Sequence, residues 1–507
     1  MNHWIILPVV LPAIIAPVLA MAMRFDIVLA RACSVAATTA LLFISAGLLM
    51  SASEGGVEVY QLGNWVGPYG IVLVLDRLSA MMLVLTAALA LVVLLYAING
   101  WDERGRHFHA LYQFQLMGIN GAFLTGDFFN LFVFFEILLI ASYGLMVHGG
   151  GVQRVRAGVQ YVIVNLAGST LFLIAVGMIY SVTGTLNMAD LAIKVPLVAA
   201  GDQALLNSGA LLLLLVFGIK AAMVPVHFWL PGTYGNAPAP VAALFAIMTK
   251  VGAYSIIRLF TLAFGEAAGD SAWLAAPWLM SAALITLVIG WVGVLASHAL
   301  GQMVCFAVVG SMGTLLTAVA LFTPPSMSAA LYYVIHSTLA AAALFLIADL
   351  VRRRRPNQAD SLIVAPRFDQ IGLIGSLFFV GAIAMAGVPP LSGFIGKLLI
   401  LDSARDAVQA GWIWSLVLIA SLVSMVGFAR GGSTLFWKSC SVEGRCTPSP
   451  VDRPVLPIVA VCILLSGTAM LTIFAGPVTA YLDQTAAQLF APSAYIDAVL
   501  GAEGGNE

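Results

Sequence analysis

Residues 218–231 read Gly-Ile-Lys-Ala-Ala-Met-Val-Pro-Val-His-Phe-Trp-Leu-Pro, and residues 385–397 read Met-Ala-Gly-Val-Pro-Pro-Leu-Ser-Gly-Phe-Ile-Gly-Lys. Each stretch lies late in a long apolar run, and the two runs are five helices apart. Pro225, Pro231, Pro389 and Pro390 each remove a backbone donor and free a carbonyl upstream. In hydrocarbon such groups need a protein partner or water. Gly/Pro interruptions at matching places in two halves of a membrane chain are the best sequence pointer to a transport site. Each break also carries a lysine, Lys220 or Lys397. One break alone also reads as a kink that only shapes packing; two, with matching lysines, favour an ion path.

The composition around the breaks admits one class. The chain has 507 residues, of which 61% are apolar and 9% charged. A soluble domain is about 45–50% apolar and about 25% charged. With 22 basic and 23 acidic side chains, this chain cannot cover a soluble surface. Disordered chains are poor in apolar residues, not rich in them. A net charge of −1 points to no nucleic-acid partner. What remains is an all-α polytopic membrane protein, in which 48 Gly and 22 Pro are tolerable.

A helix that crosses a bilayer needs about 20 mostly apolar residues. Fourteen runs qualify: 4–23, 28–50, 71–98, 108–125, 128–148, 155–182, 205–230, 238–264, 272–297, 299–322, 327–350, 369–400, 411–437 and 454–475. The first is followed by arginine, not preceded by it, and reads as a retained helix instead of a signal peptide. The loops are too short to hold a soluble domain. Residues 54–70 alternate apolar and polar side chains between glycines, which predicts a small outer β-hairpin.

Placing the N-terminus outside puts fifteen Lys and Arg on the inner side, among them Arg24, Arg31, Arg104, Arg106, Arg445, Arg453 and the Arg352–Arg355 run. Only Lys194, Arg258 and Arg405 then lie outside. That bias predicts both termini on the outer side. The arginine run reads as a positive-inside anchor, or as a contact for a lipid headgroup or another subunit. Of five cysteines, Cys33, Cys305 and Cys462 read as small packing residues. Cys440 and Cys446 share a polar loop with no second cluster to complete a metal site, so no metal is expected.

An ionisable side chain in a spanning helix costs at least ~2.5–3.5 kcal/mol and marks a path or a partner. Glu136 sits in Phe-Val-Phe-Phe-Glu-Ile-Leu-Leu-Ile, near the middle of helix five. Lys220 falls near the middle of helix seven, Lys250 within helix eight, and Lys397 after the second break. Desolvation disfavours the charged form of such groups, and a nearby opposite charge restores it. Lysines poised in this way suit proton stations, and movement of Glu136 toward or away from Lys220 would switch the affinity of that lysine for its proton. The structural alternative is a static buried pair that fixes helix register, though such pairs contribute weakly to stability. Lys397 also reads as a side chain that snorkels to the interface.

His336 within helix eleven and His227 in the first break titrate in a range suited to relay, or are satisfied core histidines. His298 lies at an inner helix boundary, where a proton path would meet the inner aqueous phase. His107, His109 and His148 read as surface or helix-end residues, Asp76 and Arg77 as an interfacial pair, and Asp127 as a turn or cap residue. Gln113, Gln115, Asn120, Gln160 and Asn165 either hold waters along a path or bond neighbouring helices. The sequence has no P-loop, no paired-histidine helix for haem and no cysteine cluster for iron–sulfur, so no cofactor is expected. Energy then comes from an ion gradient or another subunit.

Residues 126–144, reading Gly-Asp-Phe-Phe-Asn-Leu-Phe-Val-Phe-Phe-Glu-Ile-Leu-Leu-Ile-Ala-Ser-Tyr-Gly, resemble the fifth-helix motif of the D subunits of Mrp-type (Mnh or Pha) cation/proton antiporters. The Lys220 stretch, Lys250 and the Gly387–Lys397 stretch resemble the other signatures of a wider family that includes the antiporter-like subunits of respiratory complex I. The resemblance covers essentially the whole chain. It implies fourteen helices with two inverted five-helix repeats, broken at helices seven and twelve. The expected division is residues 1–106 (three helices and the hairpin), 107–265 (first repeat), 266–440 (second repeat) and 441–507 (last helix and an outer tail).

The resemblance further implies a coupled Glu136–Lys220 pair, Lys250 as central relay and Lys397 as terminal relay. It implies a hetero-oligomer of small and large membrane subunits in a bacterial inner membrane, exchanging cytoplasmic Na⁺ or K⁺ for external protons. The chain would be a secondary-transporter subunit, not an enzyme. A proton-pumping subunit of complex I or of a membrane-bound hydrogenase is the alternative, since the relay residues are shared. Two departures stand out. Ala340 and Ala341 occupy the places where many relatives carry a lysine after the helix-eleven histidine, and Ser297-His298-Ala-Leu-Gly-Gln302 replaces a charged segment between helices nine and ten. Both make His336 and His298 the substitutes.

Overall fold

The computed structural model describes residues 2–355, 357–441 and 455–501. The loop that carries Cys446, Arg445 and Arg453 lies outside the described residues. The chain opens with α1 (Leu7–Met21), α2 (Ile27–Ser53), β1 (Glu58–Gln61), β2 (Val72–Leu75) and α3 (Arg77–Ala97). Next come α4 (Phe108–Leu124), α5 (Phe128–Met146), α6 (Val152–Thr183), a short α7 (Met188–Lys194), α8 (Gln203–Lys220), α9 (Trp229–Tyr234), α10 (Ala239–Phe245) and α11 (Met248–Leu262). The second half holds α12 (Ala276–Ala296), α13 (Leu300–Val319), α14 (Pro324–Arg354), α15 (Ile371–Ala386), α16 (Ser392–Ser403) and α17 (Ala410–Gly432). It ends in α18 (Val455–Ile473), α19 (Ala475–Leu489) and α20 (Ser493–Leu500).

Among the described residues twelve helices are long and apolar enough to cross a membrane. The two other expected spans fall short of that length for local reasons. α4 has 17 residues, and the 369–400 run is split by its Gly-Val-Pro-Pro break into α15 and α16. An antiparallel hairpin forms, with Glu58 opposite Leu75 and Gln61 opposite Val72, but its second strand lies beyond the expected residues 54–70, at the head of the expected third span, whose helix starts only at Arg77. Asn2 Nδ2 donates to Glu58 at 2.7 Å, and α20 packs on β1. The two ends of the described chain therefore meet on the hairpin face.

The segment after the last expected span, read as an outer tail, is helical. α19 docks back on the start of α3, where Tyr481 Oη donates to the Arg77 carbonyl at 2.8 Å and Gln488 Oε1 accepts from Arg77 N at 3.1 Å. Glycines set the tightest helix pairs, because a small residue lets backbones approach. Gly118 and Gly121 of α4 press on Leu138 and Phe134 of α5, and Gly290 and Gly293 of α12 press on Gly310 and Phe306 of α13. The α10–α11 segment, α13 and α14 form the buried centre, and both breaks face it.

Candidate relay site

Asp127 starts α5, accepting a hydrogen bond from Asn130 N at 2.8 Å as an N-cap does. Nine residues on, Glu136 projects from the middle of that helix, half-buried, and accepts a hydrogen bond from Ser169 of α6. Lys220 is buried, and its position corrects the sequence reading. It is the last residue of α8, at the point where the backbone opens, not the middle of a continuous helix. Its Nζ donates to Asn165 Oδ1 of α6 at 2.9 Å and lies 5.7 Å from the Phe135 ring centre. Asn165 Nδ2 in turn donates to the Tyr161 carbonyl at 2.8 Å, which orients the amide oxygen toward the lysine.

Glu136 and Lys220 are within electrostatic range of each other but form no ion pair among the described residues. The space beside Lys220 is a cavity of about 10 Å³ between Phe135, Tyr161, Asn165 and Trp229, no more than one water requires. The opened backbone of the break is satisfied by protein. Trp229 Nε1 donates to the Ile219 carbonyl at 3.0 Å, and Val224 N donates to Thr286 Oγ1 of α12 at 2.9 Å. Pro225 lies in the break, whereas Pro231 lies within α9. His227 is half-buried there, and its Nδ1 has no partner among the described residues.

The eighth expected span is interrupted between Phe245 and Met248, where no proline or glycine announces a break. Ile247 N bonds the Leu244 carbonyl at 3.1 Å, a tightened turn that ends α10 and starts α11. Fully buried Lys250 sits in the first turn of α11, with Nζ 3.5 Å from Thr249 Oγ1. Two residues on, Gly252 meets the backbone of Lys220 and Ala221 so closely that a Cβ would lie 2.7 Å from Ala221 N. That contact seats α11 against the first break.

The second group centres on α14. His336 is fully buried; Nδ1 lies 2.9 Å from Ser392 Oγ at the start of α16, and Nε2 has no partner among the described residues. It lies within electrostatic range of both Lys250 and Lys397. Lys397 turns back into the break. Its Nζ donates to the Ala386 carbonyl at 2.7 Å and to Ser421 Oγ of α17 at 2.9 Å, with the Trp291 ring centre 5.2 Å away. A carbonyl at the end of α15 thus finds a lysine, and snorkelling to the interface is excluded by its 5% exposure. Ala340 and Ala341 are fully buried on the same helix as His336. His298 lies exposed at the α12–α13 turn, apart from both groups.

Ser169, Ser392 and Ser421 were not singled out in the sequence, and only Asn165 carried a signal, as an amide in an apolar helix. Another expectation fails outright. Asp76 pairs with Arg258 at 2.6 Å, not with Arg77, and both are buried. The Arg258 guanidinium lies 5.4 and 5.3 Å from the Tyr254 and Tyr495 ring centres. His109 and His148 do sit at helix ends, one of the two readings given for them, but they are buried there and not on the surface, on Asp102 Oδ2 at 3.1 Å and the Trp101 carbonyl at 2.8 Å. Gln113 and Asn120 bond neighbouring helices, through Thr38 Oγ1 at 3.0 Å and the Pro8 carbonyl at 2.9 Å.

Residues 125–425 match the family described as "NADH:quinone oxidoreductase/Mrp antiporter, TM". The chain is 42% identical to the probable K(+)/H(+) antiporter D subunit of Rhizobium meliloti (strain 1021), over 99% of this chain and 98% of that protein. It is 38% identical to the Na(+)/H(+) antiporter D subunit of Bacillus subtilis (strain 168), over 99% and 100%. A chain in the structure of the Mrp complex from Dietzia sp. DQ12-45-1b superposes with a TM-score of 0.87 at 28% identity, covering 99% of this chain and all of that one. With both of its broken helices inside the matched region, this chain belongs to the NADH:quinone oxidoreductase/Mrp antiporter family, in the branch of the antiporter D subunits.

Proposed function

We propose that this chain is the proton-translocating subunit of a multisubunit monovalent cation/proton antiporter, a transporter component and not an enzyme. It works with other small and large membrane subunits, exchanging cytoplasmic Na⁺ or K⁺ for external protons. The named relatives divide between K⁺ and Na⁺, with the K⁺-named one the more similar of the two. The observation that carries the reading is the arrangement on α6, where Ser169 holds Glu136 and Asn165 holds Lys220. A carboxylate leaving Ser169 for the lysine creates a charge pair, and its return removes it, so the lysine takes and gives up a proton with the swing of Glu136. Lys250, His336 and Lys397 continue the relay to the second break, with His227 an accessory at the first and His298 an entry point at the inner boundary.

Residues 107–265 and 266–440 are read as the two repeats. The matching glycine pairs, Gly118/Gly121 and Gly290/Gly293, each spaced by three and each packed on the next helix, support this. In that register Glu136 corresponds to Val308, so the second half has its own lysine and histidine but not the first half's switch. The arginine-rich face is read as cytoplasmic, which puts both termini on the periplasmic side of a bacterial inner membrane.

The test is dissipation of a respiration-generated pH gradient in everted vesicles from a host without antiporters, carrying the whole operon. Wild type dequenches on addition of the transported cation, and Glu136→Ala does not, with assembly unchanged. No response to Na⁺ or K⁺ from an assembled wild-type complex sinks the antiporter reading.

A further inference from the structure

On the arginine-rich face, the α1–α2 turn and the start of α4 enclose a cavity of about 260 Å³. Its floor is built from α4. No side chain caps that helix, so the first amides, at Phe108, His109 and Ala110, lack the usual partner. His109, 4% exposed, lines the cavity; Nε2 is on Asp102 and Nδ1 has no partner among the described residues. In its protonated form the ring keeps Asp102 and presents a second N–H.

Three arginines also line it, Arg24, Arg104 and Arg106; none has an ion pair among the described residues, though Arg24 lies over the Phe25 ring at 4.5 Å and Arg104 over the Trp101 ring at 3.8 Å. The two acids present are already engaged. Arg31 grips Asp102 at 2.6 and 2.9 Å and Glu103 at 2.7 Å. The cavity is therefore a positive hollow over orphaned helix amides, the setting in which phosphate groups are bound. Its other wall is apolar, formed in part by Met23 and Phe25, and Met21, Phe25 and Val28 stand 70–79% exposed around it. Exposed apolar side chains beside a cluster of arginines suit a lipid whose acyl chains lie against the former and whose anionic headgroup lies against the latter.

We propose that this cavity binds the phosphate of an anionic phospholipid, with Arg24, Arg104 and Arg106 around the anion, His109 and the first amides of α4 beneath it, and the acyl chains along the α1–α2 turn. The site ties the first two helices to α4, and it is independent of the relay. The same chemistry suits free phosphate, so the test separates the two sources.

The purified, delipidated complex is titrated with phosphatidylglycerol, phosphatidylcholine and inorganic phosphate, and bound lipid is counted by native mass spectrometry. Phosphatidylglycerol is expected to bind at least tenfold more tightly than phosphatidylcholine. Arg24→Gln, Arg104→Gln and Arg106→Gln are each expected to weaken it about fivefold, the attraction of one basic residue to an anionic surface. These side chains are exposed, but Arg104 covers the Trp101 ring, so each variant is compared at an unchanged thermal unfolding temperature; His109→Asn probes the floor, and Arg405→Gln on the hairpin face serves as the unchanged control. Equal binding of the two lipids, or undiminished phosphatidylglycerol binding by the triple arginine variant, overturns the proposal. Displacement of the lipid by millimolar phosphate also overturns it, in favour of a free-anion site.

Discussion

Asn165 and Ser169 stand one turn apart on α6, and each holds a different member of the charged pair: Asn165 accepts from Lys220 at 2.9 Å, while Ser169 donates to Glu136. The helix between them keeps acid and base within range yet unpaired. Asn165→Asp replaces the neutral acceptor with a fixed carboxylate of the same shape. Lys220 is then held charged whatever Glu136 does, because an adjacent opposite charge favours the charged form. Antiport is expected to fall at least tenfold with assembly intact, read as cation-induced dequenching in vesicles. An unchanged rate shows that Lys220 need not release its proton.

Two glycines keep the second break open. Gly387 has φ +75°, and a Cβ there would lie 2.7 Å from Lys397 Cδ; at Gly393 a Cβ would run into the Ala384 carbonyl and come within 2.9 Å of the His336 ring. Gly387→Ala is expected to cost about 1–2 kcal/mol from backbone conformation alone, and Gly393→Ala to displace His336. Both should lower transport more than they lower the thermal unfolding temperature. A Gly393→Ala complex with wild-type transport argues that the His336 position is not critical.

The Asp76–Arg258 pair predicts a stability effect. Arg258→Ala strands a buried carboxylate and is expected to destabilise the protein by about 3–5 kcal/mol, whereas the double variant Asp76→Asn/Arg258→Met is expected to recover most of that. The comparison is made by thermal unfolding in detergent. A double variant as unstable as the single one assigns the effect to packing instead of charge.

Asp102 gives a pH dependence outside the membrane. Burial raises its pKa, but the hydrogen bonds from Arg31 and His109 outweigh this and hold the carboxyl at about 2. A group depressed in the folded state stabilises above its unfolded pKa of about 3.9, and that contribution is lost as pH falls toward the folded value. Asp102→Asn is expected to lower stability by about 1.5–3 kcal/mol at pH 7, the range for hydrogen bonds to a charged group. The gap to wild type should close between about pH 4 and pH 2. A gap that is constant across that range rules the ion pair out as its source.

How much of this the sequence carried depends on whether the cause was local. The spans, the hairpin and both breaks follow from apolar runs, alternation and proline, all within a few residues. The end of α8 was also within reach, since Pro225 cannot tolerate a helix bonded through the carbonyl four residues earlier, at Ala221, and a helix must stop near Lys220. Arg258 was not. It looks like a loop-edge arginine until Asp76, 182 positions away, and Tyr495 of α20 are brought to it by the fold. α19 and α20 were passed over because their apolar residues are spread among polar ones in a short segment. Ser169 is one small polar residue among many, and only its meeting with Glu136 gives it a role.

The glycine contacts between α12 and α13 bear on how such a protein can move. With Gly290 against Gly310, and Gly313 against Leu287, the two backbones touch with no side-chain layer between them. Sliding one helix past the other would bring side chains into spaces that have room for none. A packed pair of this kind moves as one strut, and Trp291, carried on it, holds the Lys397 ammonium in a fixed setting. The frame around the second break is stiff by construction. What is left free to move beside this strut is the side chains and the unwound turn at 387–391.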